Sequence, residues 1–228
     1  MSLRPDATTM PTADEHVSFR HELLRKGIHI CSLSIPIVYY YVTKEVMLWM
    51  LIPLTAAFLI GDLLRHVHDG SFRLYTKIFG GMLRHHEKTP EKKTLNGASW
   101  VLISATFCVL VFPKLITITA FTILIISDTV AALYGRRFGT RKYRGKTLQG
   151  SSAFIVSAAL VILFTPKVAS APGEYVIAVL SGVVGAVAEV FSFDIIDDNF
   201  AIPVAIGAAL WLCYAVFFPH LNIHLLDV

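Results

Sequence analysis

A succession of apolar stretches constrains the fold of this chain more than any other feature. Of its 228 residues, 55% are hydrophobic and only 16% are charged, an apolar share well above that of ordinary soluble domains. Seven apolar windows approach the length that a bilayer requires, at residues 28–43, 45–61, 97–112, 114–135, 150–165, 174–191 and 200–218. They predict an all-α polytopic integral membrane protein with about seven transmembrane helices.

The basic residues predict the orientation of the helices. All but three of the 20 Lys and Arg residues fall in the N-terminal tail, in the segment 62–96 or in the segment 136–146, and the exceptions are Lys44, Lys114 and Lys167. Cytoplasmic loops concentrate Lys and Arg. We therefore expect an inner, cytoplasmic membrane protein with a cytosolic N-terminus and an active site on the cytosolic face. The bilayer is an expected partner and nucleic acid is not.

The chain divides into a short tail and one domain. The first twenty residues contain prolines and acidic residues but no apolar core, so residues 1–20 are predicted to be a disordered cytosolic tail. Residues 21–228 form a single transmembrane catalytic domain in this interpretation.

The long loop between the second and third windows has an amphipathic pattern. Apolar side chains recur there at helical spacing, at Phe72, Tyr75, Phe79 and Met82. This pattern predicts a short interfacial helix in the headgroup plane. Such a helix either anchors the loop only or helps to admit a lipid substrate, and the sequence leaves both roles open.

One carboxylate lies inside an apolar window. Asp128 is about 10 Å from the predicted helix end at Gly135, given a rise of ~1.5 Å per residue. Acidic residues at membrane depth are costly and mark functional sites. A ligand of a hard metal or a carboxylate of a phosphate site is the favoured interpretation, and a purely structural pair with a nearby Lys or Arg is the alternative.

A glycine-rich basic segment follows Asp128 directly. Gly135, Gly139 and Gly145 would let backbone N–H groups approach a polyphosphate, and Lys146 and Arg136 would supply countercharge. Thr147 is a candidate N-cap for the next helix. The segment is not a Walker A loop, because the required spacing places Thr140 where that motif has glycine. The segment suits a nucleoside triphosphate. The alternative is an ordinary basic cytoplasmic loop, which would explain the Lys and Arg residues but not the glycines.

An acidic loop follows the sixth window, next to Glu189. Asp197, Asp198 and Asn199 lie in the one predicted cytosolic loop without Lys or Arg. Oxygen ligands of this kind, with phosphates completing the shell, are what Mg²⁺ requires. The alternative is a solvated acidic turn in which these residues cap the seventh helix.

His29 shares a helical face with Lys26 at the start of the first window. A substrate or phosphate contact is one interpretation of this histidine. A buried, hydrogen-bonded structural histidine is the stronger expectation.

Taken together, these residues resemble the CTP-dependent lipid-alcohol kinases, a family that includes dolichol kinase, phytol kinase and fungal-type diacylglycerol kinase. The resemblance extends over roughly residues 20–207. The patterns that carry it, in chain order, are Glu22-x-x-Arg25-Lys26-x-x-His29, Arg84-x-x-Glu87, Leu95-Asn-Gly-Ala98, Asp128-Thr-x-Ala-Ala-x-x-Gly135-Arg-x-x-Gly139, Lys146-Thr-x-x-Gly150, and Glu189 with Asp197-Asp198-Asn199-x-x-Ile-Pro203.

The resemblance implies Mg²⁺-dependent transfer of the γ-phosphoryl group of CTP to a membrane lipid alcohol, either a polyprenol or dolichol, phytol or diacylglycerol. The implied catalytic residues are Asp128, Lys146 and Asp198. The implied nucleotide-binding residues are Arg84, Gly135, Arg136, Gly139, Lys142, Lys146, Thr147 and Asn199. The implied metal ligands are Asp128, Glu189, Asp197 and Asp198. Other implied contacts, including those to substrate, are Lys26, His29, Glu87 and Asn96.

Two other functions stay open at this point. The middle patterns are also similar to those of phosphatidate cytidylyltransferases, which form a cytidine-bearing lipid from CTP and phosphatidate. Their closing acidic motif is of the Asp-Arg-x-Asp kind, and the run at Asp197 departs from it, which favours the kinases. A non-enzymatic lipid or anion transporter is the lesser alternative, because membrane carboxylates also occur on ion pathways.

Overall fold

The computed structural model describes residue 23 and the ranges 25–67, 95–192 and 196–227. In this part of the chain almost all regular structure is helical. The helices are α1 (25–31), α2 (Ser34–Tyr41), α3 (Lys44–Val67), α4 (Gly97–Val111), α5 (Lys114–Phe138), α6 (Leu148–Phe164), α7 (Pro172–Phe191) and α8 (Asp198–Phe217), and the two short strands are β1 (Lys142–Tyr143) and β2 (Lys146–Thr147). The predicted tail 1–20 and the predicted interfacial helix around Phe72 to Met82 lie outside the described residues.

The helices match the predicted membrane class. Four of them, α3, α5, α7 and α8, are long and apolar enough to cross a bilayer, and α4 and α6 are shorter apolar helices. Large apolar side chains face outward, among them Trp49 at 81% and Phe164 at 88% exposure. An apolar exterior of this kind suits lipid rather than water. The prediction of an all-α integral membrane protein is confirmed.

The first predicted window differs, because it forms two short helices instead of one continuous span. A turn at residues 32 and 33 separates α1 from α2. Pro36 has no N–H to donate to the carbonyl of Ser32. That carbonyl instead accepts from the N–H of Ile35 at 2.9 Å. The break leaves two helices that are each too short to cross a bilayer alone.

Helix α5 is the centre of the bundle. It packs against α2, α4, α6, α7 and α8, and 78% of its apolar window is buried. The basic segment 136–146 begins at its C-terminal end. Lys114 begins the same helix at the opposite end, and Lys44 and Lys167 lie at helix ends or connections there. The structure therefore separates these three lysines from the basic segment, while the assignment of one end to the cytosol stays a prediction.

A buried carboxylate that sequence analysis missed ties α3 to α4. Asp62 accepts hydrogen bonds from the Asn96 backbone N–H at 2.9 Å, the Asn96 side-chain amide at 3.1 Å and the Ser99 hydroxyl at 2.6 Å. Asn96 in turn caps α4 by accepting from the Ser99 N–H at 2.9 Å. Asn96 was predicted as a substrate contact, and in the structure its side chain anchors the beginning of α4. Asp62 directly follows the second apolar window, so a search for carboxylates at the ends of these windows, as well as inside them, could have found it.

A second buried carboxylate holds the opposite end of the bundle. Glu174, at the start of α7, accepts from the backbone N–H groups of Val168, Ala169 and Ala171 and from the Tyr214 hydroxyl, at 2.8–3.0 Å. Bonds to a charged acceptor are stronger than those between neutral groups. This carboxylate therefore organises the α6–α7 connection, far along α7 from Glu189.

Candidate active site

A polar cavity of about 610 Å³ lies at the C-terminal end of α5. The β-hairpin and the start of α6 form one side, and Glu189 of α7 and Asp198 of α8 form another. Its volume is within the usual range for small-molecule sites, roughly 300–1,000 Å³. We call this space the polar cavity.

The β-hairpin directs Lys146 into the polar cavity. Its strands pair Lys142 with Thr147 and Tyr143 with Lys146. The two turn residues, Arg144 and Gly145, both have positive φ, at 50° and 81°, as in the two-residue turns that favour hairpins. The sequence pattern predicts a glycine-rich basic segment that suits a polyphosphate, and no strands were predicted there, although a residue followed by Gly between two short extended runs is a hairpin signal.

The hairpin is anchored to the neighbouring helices. The guanidinium of Arg144 lies 5.4 Å from the centre of the Phe191 ring at the end of α7. The Gln149 side chain bonds both the Thr140 backbone N–H, at 3.2 Å, and the Thr140 hydroxyl, at 2.6 Å. These contacts connect the hairpin to α6 and α7, the helices that border the cavity.

Thr147 and two glycines control how closely α5 approaches α6. The Thr147 hydroxyl accepts from the Gly150 N–H at 3.1 Å and caps α6, as predicted. A Cβ added at Gly135 would lie 2.6 Å from this hydroxyl oxygen, and one at Gly139 would lie 2.5 Å from the Thr147 methyl group. Both glycines also line the polar cavity. The structure thus gives them a packing role; their predicted role as a phosphate cradle stays a prediction.

We expect Gly135→Ala to destabilise the protein by about 1–3 kcal/mol, because its new methyl group has no room beside Thr147. Gly61→Ala is the matched control, since a Cβ there would meet no heavy atom within 4 Å. Thermal unfolding in detergent measures the difference, and hydrogen exchange over residues 140–150 should rise in the first variant only. Equal melting temperatures for the two variants would show that the approach of α5 to α6 has room to relax.

An ammonium group bridges two carboxylates in the polar cavity. The Lys146 Nζ lies 3.1 Å from Oε1 of Glu189 and 3.2 Å from Oδ2 of Asp198. Burial alone would lower the pKa of Lys146, but the carboxylates of Asp198, Glu189 and Asp128 outweigh it and raise the pKa above its usual range. Lys146 is therefore protonated at neutral pH.

The same cluster contains an unused acceptor. The Glu189 side chain is 4% exposed, and within the described residues its Oε2 atom is buried and has no hydrogen-bond partner. An unsatisfied buried carboxylate oxygen is costly, so it indicates an absent ligand or ion. Mg²⁺ is held in many sites by one or two carboxylates and by substrate phosphates. Glu189 and Asp198 fit such a site.

The predicted set of four carboxylate ligands is not assembled. In the ranges that the structure describes, there is no group of three or more His, Cys, Asp or Glu side chains that could hold a metal ion. Asp197 instead caps α8, accepting from the Asn199 backbone N–H at 3.0 Å and from its side-chain amide at 2.5 Å. This is the capping role that sequence analysis gave as the alternative. Asp128 forms its ion pair with Lys26, although its charge also acts on Lys146.

Asp128 forms a buried ion pair with Lys26. The Lys26 ammonium donates to Oδ2 of Asp128 and, at 3.3 Å, to its backbone carbonyl. Both side chains are almost fully buried. His29 lies beside the pair, with its Nε2 atom 3.6 Å from Oδ2 of Asp128. That nitrogen is buried and lacks a hydrogen-bond partner among the described residues, so the structure supports the burial of His29 but shows no hydrogen bond at Nε2.

Cationic side chains outnumber carboxylates around the polar cavity. The cations are Arg25, Arg136, Lys142 and Lys146, and the carboxylates are Glu189 and Asp198. This excess of positive charge suits a polyanionic ligand. Arg25 belongs to the first of the sequence patterns above, and no role was predicted for it.

The remaining predicted site residues fall into two groups. Asn199 is buried at the start of α8, where its side-chain amide would lie 3.6 Å from a Cβ at Gly97. It therefore lies where α8 meets the start of α4. Arg84 and Glu87 are outside the described residues.

Comparison with known proteins identifies the family. The chain matches no protein-family model and no solved structure. It is 30% identical over 210 residues to CTP-dependent diacylglycerol kinase 1 of Saccharomyces cerevisiae, which covers 81% of this chain and 71% of that protein. It is also 26% identical to CTP-dependent diacylglycerol kinase 1 of Schizosaccharomyces pombe, and this alignment covers 86% of this chain and 94% of that protein. It is 29% identical to an uncharacterized protein of Rickettsia prowazekii, in an alignment that covers 82% of this chain and 92% of that protein. The chain thus belongs to the family of CTP-dependent lipid kinases.

Proposed function

We propose that this protein transfers the γ-phosphoryl group of CTP to the hydroxyl group of diacylglycerol, with Mg²⁺, at the polar cavity. The observation that carries the proposal is the Lys146 ammonium between the carboxylates of Glu189 and Asp198, at the wall of a cavity with excess positive charge. Phosphoryl transfer depends mostly on positioning and charge neutralisation, and these residues provide both.

The triphosphate lies in the polar cavity in this proposal. Lys146, Arg136 and Lys142 supply countercharge, and Arg25 does so from the side of α1. The N-terminus of α6, which Thr147 caps, borders the same space and favours negative charge. The cavity faces the cytosol in this proposal, since the basic segment that is typical of cytoplasmic loops lies at this end of α5.

Glu189 and Asp198 would hold Mg²⁺. The unpartnered Oε2 atom of Glu189 supports this assignment, because it is a carboxylate oxygen with free capacity next to a second carboxylate. When bound, the ion would neutralise charge that develops on the β- and γ-phosphates. Asp128 and Asp197 take no part in the metal site in this proposal, because Lys26 and the start of α8 already engage them.

In this proposal the acceptor hydroxyl lies beside Asp128 and His29, within hydrogen-bond distance of both. The His29 Nε2 atom donates to the hydroxyl oxygen, and the hydroxyl donates to the Asp128 carboxylate. As the oxygen forms its bond to the γ-phosphorus, the bond from that phosphorus to the β–γ bridging oxygen breaks. The hydroxyl proton passes to Asp128, and CDP leaves. The unpartnered, buried nitrogen of His29, 3.6 Å from Oδ2 of Asp128, supports this position.

Diacylglycerol is the proposed acceptor because the two named relatives are both diacylglycerol kinases. A polyprenol and phytol also have one hydroxyl on an apolar tail. No contact in the described structure favours either of them.

The experiment is a transfer assay with γ-labelled CTP. Purified protein in detergent with Mg²⁺ is incubated separately with diacylglycerol, a polyprenol, phytol and phosphatidate. We expect label in the diacylglycerol product, CDP in equal amount, and loss of both when EDTA removes the divalent ion. Label in a different alcohol would replace the proposed acceptor. Pyrophosphate release with phosphatidate, without labelled lipid, would contradict phosphoryl transfer.

A further inference from the structure

One polar side chain of the polar cavity has no role in the proposed mechanism. Ser151 lines the cavity near the N-terminal end of α6, four residues after Thr147. A serine inside a helix commonly donates its hydroxyl to the carbonyl four residues earlier. The Ser151 hydroxyl makes no such bond, and it has no other hydrogen-bond partner in the ranges that the structure describes. Its proton is therefore available to a ligand.

Neighbouring hydroxyls on the same helix behave differently. Ser152 and Ser157 each donate to the carbonyl four residues earlier, at 2.9 and 2.8 Å. Neither of them lines the polar cavity. A hydroxyl that faces lipid or packed side chains has no water to bond, so it turns to its own backbone. Ser151 faces a polar space instead, where a ligand or water can accept its proton.

Ser151 also differs from hydroxyls that are buried without a partner. Thr119 and Ser127 of α5 lack a hydrogen-bond partner among the described residues, but both are buried in the bundle and neither lines the polar cavity. Thr147 does line the cavity, and its oxygen already accepts from the N–H that begins the next turn of α6. Ser151, which is half-buried, thus offers the cavity an uncommitted neutral donor.

The charges around the polar cavity indicate which acceptor suits this donor. Arg136, Lys142 and Lys146 line the same space, and the N-terminus of α6 favours negative charge there. An anionic oxygen satisfies the cations and accepts from a hydroxyl at the same time. Hydrogen bonds to a charged acceptor are stronger than those between neutral groups. A hydroxyl on a short side chain of a helix also fixes a direction, which long Lys and Arg side chains do less strictly.

We propose that the Ser151 hydroxyl donates a hydrogen bond to a phosphate oxygen of CTP, which makes Ser151 a nucleotide-binding residue. This inference rests on the proposed function for the identity of the nucleotide. It adds a neutral, directional contact to the cationic ones, and that contact orients the phosphate chain along the start of α6.

Ser151→Ala tests the contact, and Ser152→Ala is the matched control. The two serines are adjacent on α6, but Ser152 is exposed, bonds its own helix and does not line the cavity. Binding of labelled CTP is measured in detergent with Mg²⁺ and without a lipid acceptor. We expect Ser151→Ala to raise the Kd for CTP by about tenfold, as for the loss of one hydrogen bond to a charged group. Equal Kd values for the two variants would overturn the proposal.

Two further measurements exclude an indirect effect on the fold. Ser151→Thr retains the hydroxyl and should bind CTP with nearly the wild-type Kd. The melting temperatures of Ser151→Ala and Ser152→Ala should be similar, because alanine is a better helix former than serine at both positions. A Kd in Ser151→Thr as high as that in Ser151→Ala would contradict a hydrogen bond from the hydroxyl.

Competition with tripolyphosphate identifies the part of the nucleotide that Ser151 contacts. The inhibition constant of tripolyphosphate against labelled CTP should rise in Ser151→Ala by the same factor as the Kd for CTP. An unchanged inhibition constant, or no competition in the wild-type protein, would overturn the assignment to a phosphate oxygen. Weaker CTP binding by Ser151→Ala, together with no phosphorylation of diacylglycerol by the wild-type protein, would support the contact and overturn the proposed reaction instead.

Discussion

Glu189→Gln is expected to lower kcat by about 10²- to 10³-fold while the protein remains folded. The substitution keeps the size of the side chain and one oxygen for Lys146, and Asp198 still pairs with the ammonium. What it removes is the negative charge of a buried carboxylate whose second oxygen has no partner among the described residues. Loss of one preorganised electrostatic contact that stabilises a transition state costs about 10²- to 10³-fold in kcat, and we expect an effect of this order when the proposed Mg²⁺ site loses one of its two carboxylates. Initial rates of CDP formation at saturating CTP and diacylglycerol measure the effect.

Glu174→Gln is the matched control for that experiment. It is the same substitution on the same helix, at the other end of α7, where the carboxylate accepts from three backbone N–H groups and the Tyr214 hydroxyl. We expect it to lower the melting temperature because it weakens hydrogen bonds that stabilise the fold. The kcat should change by less than about threefold, because Glu174 makes no contact with the reacting groups in this proposal. If Glu189→Gln kept the turnover of Glu174→Gln, the proposed metal site would be wrong.

The second large effect concerns the buried pair of Lys26 and Asp128. Asp128→Asn should abolish turnover, because the proposed proton acceptor is lost. It should also destabilise the protein by about 3–5 kcal/mol, since the Lys26 ammonium remains buried without its counter-ion. Thermal unfolding in detergent and initial rates measure the two effects separately.

A double variant distinguishes the catalytic role from the structural one. Lys26→Met combined with Asp128→Asn removes both charges, so we expect it to regain most of the lost stability and to remain inactive. The single variant Lys26→Met is the third corner of the cycle and should be unstable, because it leaves the carboxylate alone. Near-normal turnover in a stable double variant would show that the pair serves packing only.

Much of the architecture follows from the sequence for a simple physical reason. Apolar windows long enough for a bilayer are properties of contiguous residues, and the cost of leaving backbone groups unpaired in lipid then requires helices. Local signals were equally informative for features that depend on a few neighbouring residues, such as the cap that Thr147 provides for α6. The β-hairpin at Arg144–Gly145 was also a local signal, but the glycines were interpreted only as a way for backbone N–H groups to approach a polyphosphate.

The partner of each buried charge, in contrast, could not be predicted from the sequence. Asp128 pairs with a lysine 102 residues away, and Lys146 bridges carboxylates 43 and 52 residues further along the chain. The sequence by itself determined the membrane class. It also identified polar residues whose burial among apolar residues costs so much free energy that a functional or structural role is expected. Only the tertiary structure decided that Asp128 pairs with Lys26, that Asp197 caps a helix, and that Glu189 and Asp198 converge, because charge pairing depends on distance across packed helices and spacing along the chain does not encode that distance.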